Sequence, residues 1–333
     1  MARRDGRALF PLAATHYAET IKIKDPAQRR DLATVMEELS GFATLIDRTV
    51  VARLEVDAAL NDRFGPMPTP AAEYPLLGCG VAWTFGMKGG LSILDEQDND
   101  VTGDERDRVG AAVFDARMTA AQLMLERTSL AGPSDSEVPA LHAHGWDPDA
   151  AATVMTRRAA QEQSFQDHLA TFRGGELDSW TRGERLRDVV LEREVQIELG
   201  DILDEVLAAH GLRPDTVLPD SASIRALLRS MPSTEVATTL KTEDHRNAHK
   251  SWTSNDIFDI DALSLAVPYC DVVVCDAHRS HVLRTAKLDR RMNTTVINKL
   301  TDLPRHLTGA AHHPGAPHAS EHDRHKRGHH PNV

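Results

Sequence analysis

At 333 residues, 41% of them hydrophobic, the chain is long enough to bury a sizeable core as one large domain or two smaller ones. Fifty acidic against 38 basic residues leave a formal net charge of −12, which excludes broad, sequence-blind DNA binding, because that affinity comes from neutralising phosphates. No run approaches the ~20 apolar residues of a membrane helix, and Met1-Ala2-Arg3-Arg4 is not followed by an apolar signal segment. The odd set Cys79, Cys270 and Cys275 has no Cys-x-x-Cys spacing. The expectation is a cytoplasmic globular protein with no membrane contact, no disulfide framework and no structural zinc.

In chain order, residues 8–13 predict a short strand, and Thr15 is placed to cap a following helix that carries Glu19. Asp25-Pro26 opens a helix with Gln28 at the capping-box position and Leu32, Val35, Met36, Leu39 and Ala43 along one apolar face. Residues 78–94 are glycine-rich and apolar. Gly86-Met87-Lys88 lacks the spacing and the Lys-Ser/Thr pair of a phosphate loop, so packed turns are predicted. Residues 95–107 are acidic enough to resemble a calcium loop, but counting from Asp98 puts Val109 where a bidentate Glu belongs, and a solvated loop is the better reading. Residues 109–127, 149–172 and 181–210 read as long amphipathic helices, the last ended by Gly211. They make up a helical insertion over about 95–215, with His142 and His144 as solvated loop residues.

The stretch 255–276 carries the most chemistry. Asp256 reads as an N-cap with Asp259 at the third helical position, and Ala262, Leu263, Leu265 and Ala266 follow as packing residues until Pro268 stops the helix. Val272-Val273-Val274 then reads as a strand buried on both faces of a parallel sheet, with Asp276 at its C-terminal end, the edge where ligands and catalytic groups gather. Taken singly, each acid has a plainer role as cap, dipole partner or turn former. Together they predict a small acidic pocket, whose mutual repulsion a hard cation such as Mg²⁺ or Mn²⁺ relieves.

This arrangement resembles the C-terminal signature of PIN-like domains: an acid early in a helix, an apolar turn, and a Val-rich strand closed by a Cys-Asp pair, with Asp276 seventeen residues after Asp259. The strand and helix around Glu19 resemble that family's second strand and helix, and Thr294-Thr295-Val296-Ile297-Asn298 its closing strand. The resemblance covers residues 8–45 and 230–307. It implies an α/β fold, a PIN-like parallel sheet with flanking helices around the large helical insertion, and a metal-dependent ribonuclease. Glu19, Asp256, Asp259 and Asp276 become the catalytic and metal-binding residues, and single-stranded RNA the substrate. Because the family includes many bacterial toxins, an antitoxin or other protein partner is implied as well. The chain departs from the family at its start, where residues 1–7 hold neither the first strand nor its Asp, and Asp5 is no substitute. Either translation begins upstream, or the chain lacks its first ligand and is a catalytically degenerate binding protein. A third reading uses the same acids in a metal-dependent phosphatase.

Past Asp276, Arg279, Arg284, Lys287, Arg290 and Arg291 face the single acid Asp289, and the first three are the expected contacts to substrate phosphate. Lys241, His245, Arg246, His249 and Lys250 form a second basic group before the motif. The tail 311–333 holds seven of the 17 histidines among Gly, Pro and charged residues, a composition that cannot form a core and is expected to be disordered.

Overall fold

Caps and strong helix formers recur from residue 25 onward, and the chain folds accordingly. The computed structural model describes residues 5–65, 75–87, 91–134, 136–143, 147, 150–175 and 178–308. It is 69% helical. His144 and the His-rich tail lie outside the described residues.

Helix α1 (Ala14–Ile21) is capped two residues earlier than expected, at Ala13, and buries Thr15 instead of using it as a cap. Helix α2 (Pro26–Ser40) begins as its sequence dictates. Asp25 accepts the Ala27 N–H, Pro26 occupies the first turn where no hydrogen bond is forfeited, and Gly41 ends the helix in the left-handed region at φ 60°. Its buried face is Ala33 and Ser40, however, while Val35 and Leu39 stay 51% and 44% exposed.

The expected PIN-like parallel sheet is overturned. Strand β1 (Ala43–Leu45) precedes helix α3 (Arg48–Phe64) and pairs antiparallel with β2 (Leu77–Cys79). The predicted 8–13 strand shrinks to one bridge, Leu12 beside Thr44.

The long helices follow. The expected solvated loop at 95–107 is corrected in its second half, where Thr102–Val109 is a short helix, and after Gly110, at φ 86°, the predicted 109–127 helix runs as α4 (Ala111–Ala131). Next come α5 (Ala150–Ala170) and α6 (Glu184–Glu194), which runs through a π-helical turn at Val195–Leu199 into α7 (Gly200–Ala209). Helices α8 (Ser221–Arg229), α9 (Pro232–Arg246) and α10 (Ser254–Tyr269) lead to β3 (Val272–Val274), α11 (Ala277–Thr285) and β4 (Thr295–Ile297).

Strands β3 and β4 pair in parallel and share no strand with the first sheet. The physical reason is length and exposure. Each strand has three residues, and Val273 is buried while Val274 is 39% exposed, so the Val triplet has one covered face instead of two. A short strand with a neighbour on one side offers too few backbone pairs to build a wide sheet. Helices cover the apolar surface instead. One core joins α5, α9, α10, β3 and β4 through Ala159, Val236, Leu240, Ile257, Ile260, Val273 and Val296. A second joins α3, α6, α7 and α8 through Val56, Leu60, Leu191, Leu203 and Leu228.

Helix α10 corrects three local expectations. Its N-cap is Thr253, whose side chain exchanges hydrogen bonds with Asp256 in a capping box, so Asp256 is the third helical residue and Asp259 lies a turn further in. Pro268 sits inside the last turn, where its missing N–H removes one intrahelical bond near the helix end, and the cap N–H of Cys270 still reaches the Ala266 carbonyl. Cys270 and Cys275 pack against the core as small apolar groups, and burial pushes both thiols up to about 11.

Candidate functional site

Helices α1 and α10 lie side by side because Lys22, at the C-terminal cap of α1, sets its ammonium 3.8 Å from the Phe258 ring centroid and donates to Asn255 Oδ1 at 3.4 Å. This contact carries Glu19 to the N-terminal half of α10, where Asp256 and Asp259 project, and β3 delivers Asp276 to the same end. Partial burial and the nearby Asp259 charge raise the Glu19 carboxyl above its ordinary value, against the pull of Lys22. Burial raises Asp259 as well, and Asp276 and Asp256 add to the shift while Arg279 and Lys250 oppose it.

The four acids differ in what they already bind. Burial would raise Asp256, but Lys250 and Thr253 hold it below its ordinary value: Lys250 closes an ion pair, and Thr253 donates its N–H at 2.8 Å and its hydroxyl at 2.7 Å. Asp276 caps α11 by accepting the Arg279 N–H at 3.0 Å. The Glu19 and Asp259 carboxylates accept no hydrogen bond and close no ion pair among the described residues.

The expected phosphate contacts change in the same way. Arg279 is buried, and its guanidinium is held by buried Asp244 at 2.9 Å, so it steadies the site from below instead of facing solvent. Exposed Arg284 donates to the Val296 carbonyl, and exposed Lys287 opens a short helix in the left-handed region at φ 58°. The cations at the rim are Lys22 and Lys250. In the second basic group, Lys241 and His245 are buried.

Among the described residues no three His, Cys, Asp or Glu side chains converge closely enough to hold a metal ion by themselves. A closed all-protein cage therefore does not fit. Mg²⁺, however, is commonly held by one or two carboxylates together with substrate phosphates, and Glu19 with Asp259 matches that donor chemistry.

No family model, no curated protein and no solved structure matches the chain. Among the described residues no helix is long and apolar enough to cross a membrane.

A second polar constellation escaped the sequence reading. Between α3, α5, α6, α9 and α10, Arg48 donates to Asp261 at 3.0 Å and to Glu194, while Arg158 donates to Asp261 at 2.6 Å and to Glu198 at 2.9 Å. Lys241 lies 2.7 Å from Glu194 and 3.0 Å from Glu162, and His245 is 3.0 Å from Glu162 and 2.9 Å from Gln166. Burial alone would depress the Lys241 ammonium, yet Glu194, Glu162 and Glu198 outweigh it and hold it above its ordinary value. Burial keeps the His245 imidazole below its ordinary value despite Glu162. The one signal in the sequence was charge at four-residue spacing along helices: Arg158 and Glu162, Glu194 and Glu198, Lys241 and His245. With every cation facing a carboxylate, this cluster acts as a structural brace and holds α10 in register beneath the acidic site.

Proposed function

We propose that the chain is a divalent-metal-dependent phosphodiester hydrolase acting on single-stranded RNA. The observation that carries this reading is the Glu19 and Asp259 pair: two uncommitted surface carboxylates, from segments over two hundred residues apart, of which Asp259 lies near enough for its charge to help raise the Glu19 carboxyl. A bound Mg²⁺ or Mn²⁺ would neutralise the pair, activate water and offset charge on the scissile phosphate. Glu19 and Asp259 would hold the ion together with the substrate. Lys22 stands at the rim where an incoming phosphate is attracted, and Arg279, fixed by Asp244, limits the repulsion around Asp259. Asp276 holds the start of α11 in place.

The test is cleavage of labelled single-stranded RNA with Mn²⁺ or Mg²⁺, compared with a chelator control and with Asp259→Asn. A non-catalytic interaction protein is the second reading. It is favoured by one observation, that Lys250 and Arg279 already neutralise Asp256 and Asp244. Binding of RNA or of a protein partner, with no cleavage by the folded, metal-loaded chain, would select it.

A further inference from the structure

Helices α6, α8, α9 and α11 and the short helix Leu288–Arg291 line a cavity of about 580 Å³, within the ~300–1,000 Å³ of small-molecule sites. Its charged lining is lopsided. Arg187, Arg229, Arg246 and Arg291 stand against Glu235 and Glu243, and His281 adds an imidazole. Both glutamates are already engaged. Buried Glu235 accepts from Arg187 at 2.6 Å through one oxygen and from Arg291 at 2.8 Å through the other, and Glu243 pairs with Arg246. Exposed Arg229, in the last turn of α8, closes no ion pair among the described residues. Two guanidiniums thus share the single charge of Glu235, and Arg229 is unmatched, so four arginines against two glutamates leave two positive charges unbalanced. Asp188 and Asp289, beside Arg187 and Arg291 in sequence, do not line the cavity; Asp188 lies 3.7 Å from Arg225, and Asp289 buries one carboxylate oxygen. The larger groove between α2 and α4, about 840 Å³, matches Arg29, Arg30 and Arg127 with Glu37, Glu38 and Glu137 and has no such excess.

We infer that this cavity binds a phosphomonoester through its phosphate group. Such a group carries about −1.5 to −2 charge at neutral pH, which matches the two unbalanced guanidiniums. A neutral ligand would leave the excess in place, and a carboxylate or sulfonate would cancel half of it. Guanidinium forks also suit phosphate oxygens, because each offers paired N–H donors. Arg187 uses its two terminal nitrogens, on Glu235 and on Thr239 at 3.1 Å, and keeps Nε, while Arg291 uses one nitrogen on Glu235 and keeps the others. Glu235 fixes both side chains before anything binds, which lowers the ordering cost of binding. Val282 and Ala286 give the organic part of the ligand an apolar wall.

Phenyl phosphate is titrated into the full chain by calorimetry in the presence of a chelator, with benzenesulfonate as a singly charged ligand of similar shape. The expected result is saturable binding at one molecule per chain, at least tenfold tighter for the phosphate. Arg229→Gln with Arg291→Gln should weaken phenyl phosphate binding at least tenfold, and Arg127→Gln in the balanced groove should leave it unchanged. No saturable binding, equal affinity for the two ligands, or undiminished binding by the folded double variant would overturn the proposal. Should the double variant fail to fold, Arg229→Gln alone decides, with an expected loss of at least threefold, because Arg229 is exposed and pairs with no acid. Displacement of phenyl phosphate by a 5′-phosphorylated trinucleotide and not by its 5′-hydroxyl form would assign the phosphate to an RNA end, and displacement by neither would assign it to a free small molecule. Equal displacement by both forms would overturn the monoester. The chelator suppresses the proposed hydrolysis, so this result and that reading stand or fall separately.

Discussion

Replacing Lys241 by Met keeps most of the side-chain volume and removes one buried charge. The Lys241 side chain is 3% exposed and lies 2.7 Å from Glu194, 3.0 Å from Glu162 and 3.5 Å from Glu198. After the substitution Glu194 keeps Arg48, and Glu198 keeps Arg158. Glu162 is left with a neutral imidazole and with Arg193 at 3.5 Å, so it bears most of the loss. Breaking a buried ion pair from one side costs ~3–5 kcal/mol, and because two of the three carboxylates retain arginines the expected cost is at the low end, ~3 kcal/mol. The assay is chemical denaturation, read as a lower midpoint at unchanged slope. Adding Glu162→Gln removes the orphaned charge and should restore more than half of the loss. The single variant should also recover as pH falls, because an unpaired Glu162 can take up a proton in the fold. A loss under ~1 kcal/mol, or a double variant no more stable than the single one, would refute the brace as described.

Two further outcomes follow from the charge geometry. The Asp259 carboxyl is raised in the fold, so its protonated form is favoured, and stability present at low pH is lost as pH rises through the raised value. Asp259→Asn should therefore stabilise the metal-free chain at neutral pH by a surface-screened ~0.2–0.5 kcal/mol and leave it unchanged in acid, which paired thermal melts would check; a lower melting temperature at neutral pH would contradict it. His245 and His16 are held below the ordinary imidazole value, so the unfolded chain binds more protons below ~6.5 and stability should fall with pH through that window. His245→Gln should flatten the fall in a denaturation series, and an unaltered slope would remove His245 as its source.

Helix ends were the most legible part of the sequence. Asp25-Pro26 and Gly211 act locally, and each starts or ends a helix as its chemistry requires, whereas the helix face expected to reach Ala43 stops at Gly41 and Ala43 begins β1. Thr253-Ser254-Asn255-Asp256 carries a capping-box pattern in which the cap is the threonine, not the acid three residues later, because the Thr253 side chain and the Asp256 side chain satisfy each other's N–H groups. The parallel sheet was misread because three valines in a row say nothing about how many neighbouring strands exist, and here β4 is the neighbour. Glu19 comes near Asp259 although the strand expected before it shrinks to one bridge and Glu19 lies in the second turn of α1, so the packing of α1 on α10, and no strand-then-acid pattern, brings the two together. Which acids are free was not readable, because it depends on Lys250 and Arg279, and no local pattern distinguishes a solvated arginine from one buried against Asp244. The brace was hidden for the same reason. Lys241 meets Glu194 from 47 residues away, and His245 meets Glu162 from 83, distances over which periodicity carries no pairing information.

The most direct measurement of the central claim is Mn²⁺-dependent cleavage of single-stranded RNA by the unaltered chain, by Glu19→Gln with Asp259→Asn, and by Asp256→Asn. The account predicts cleavage that a chelator stops, that the double carboxamide variant loses while remaining folded, and that Asp256→Asn largely keeps, since Asp256 serves the capping box and Lys250. Metal-dependent cleavage surviving in the folded double variant, or no cleavage by the folded, metal-loaded unaltered chain, would contradict it.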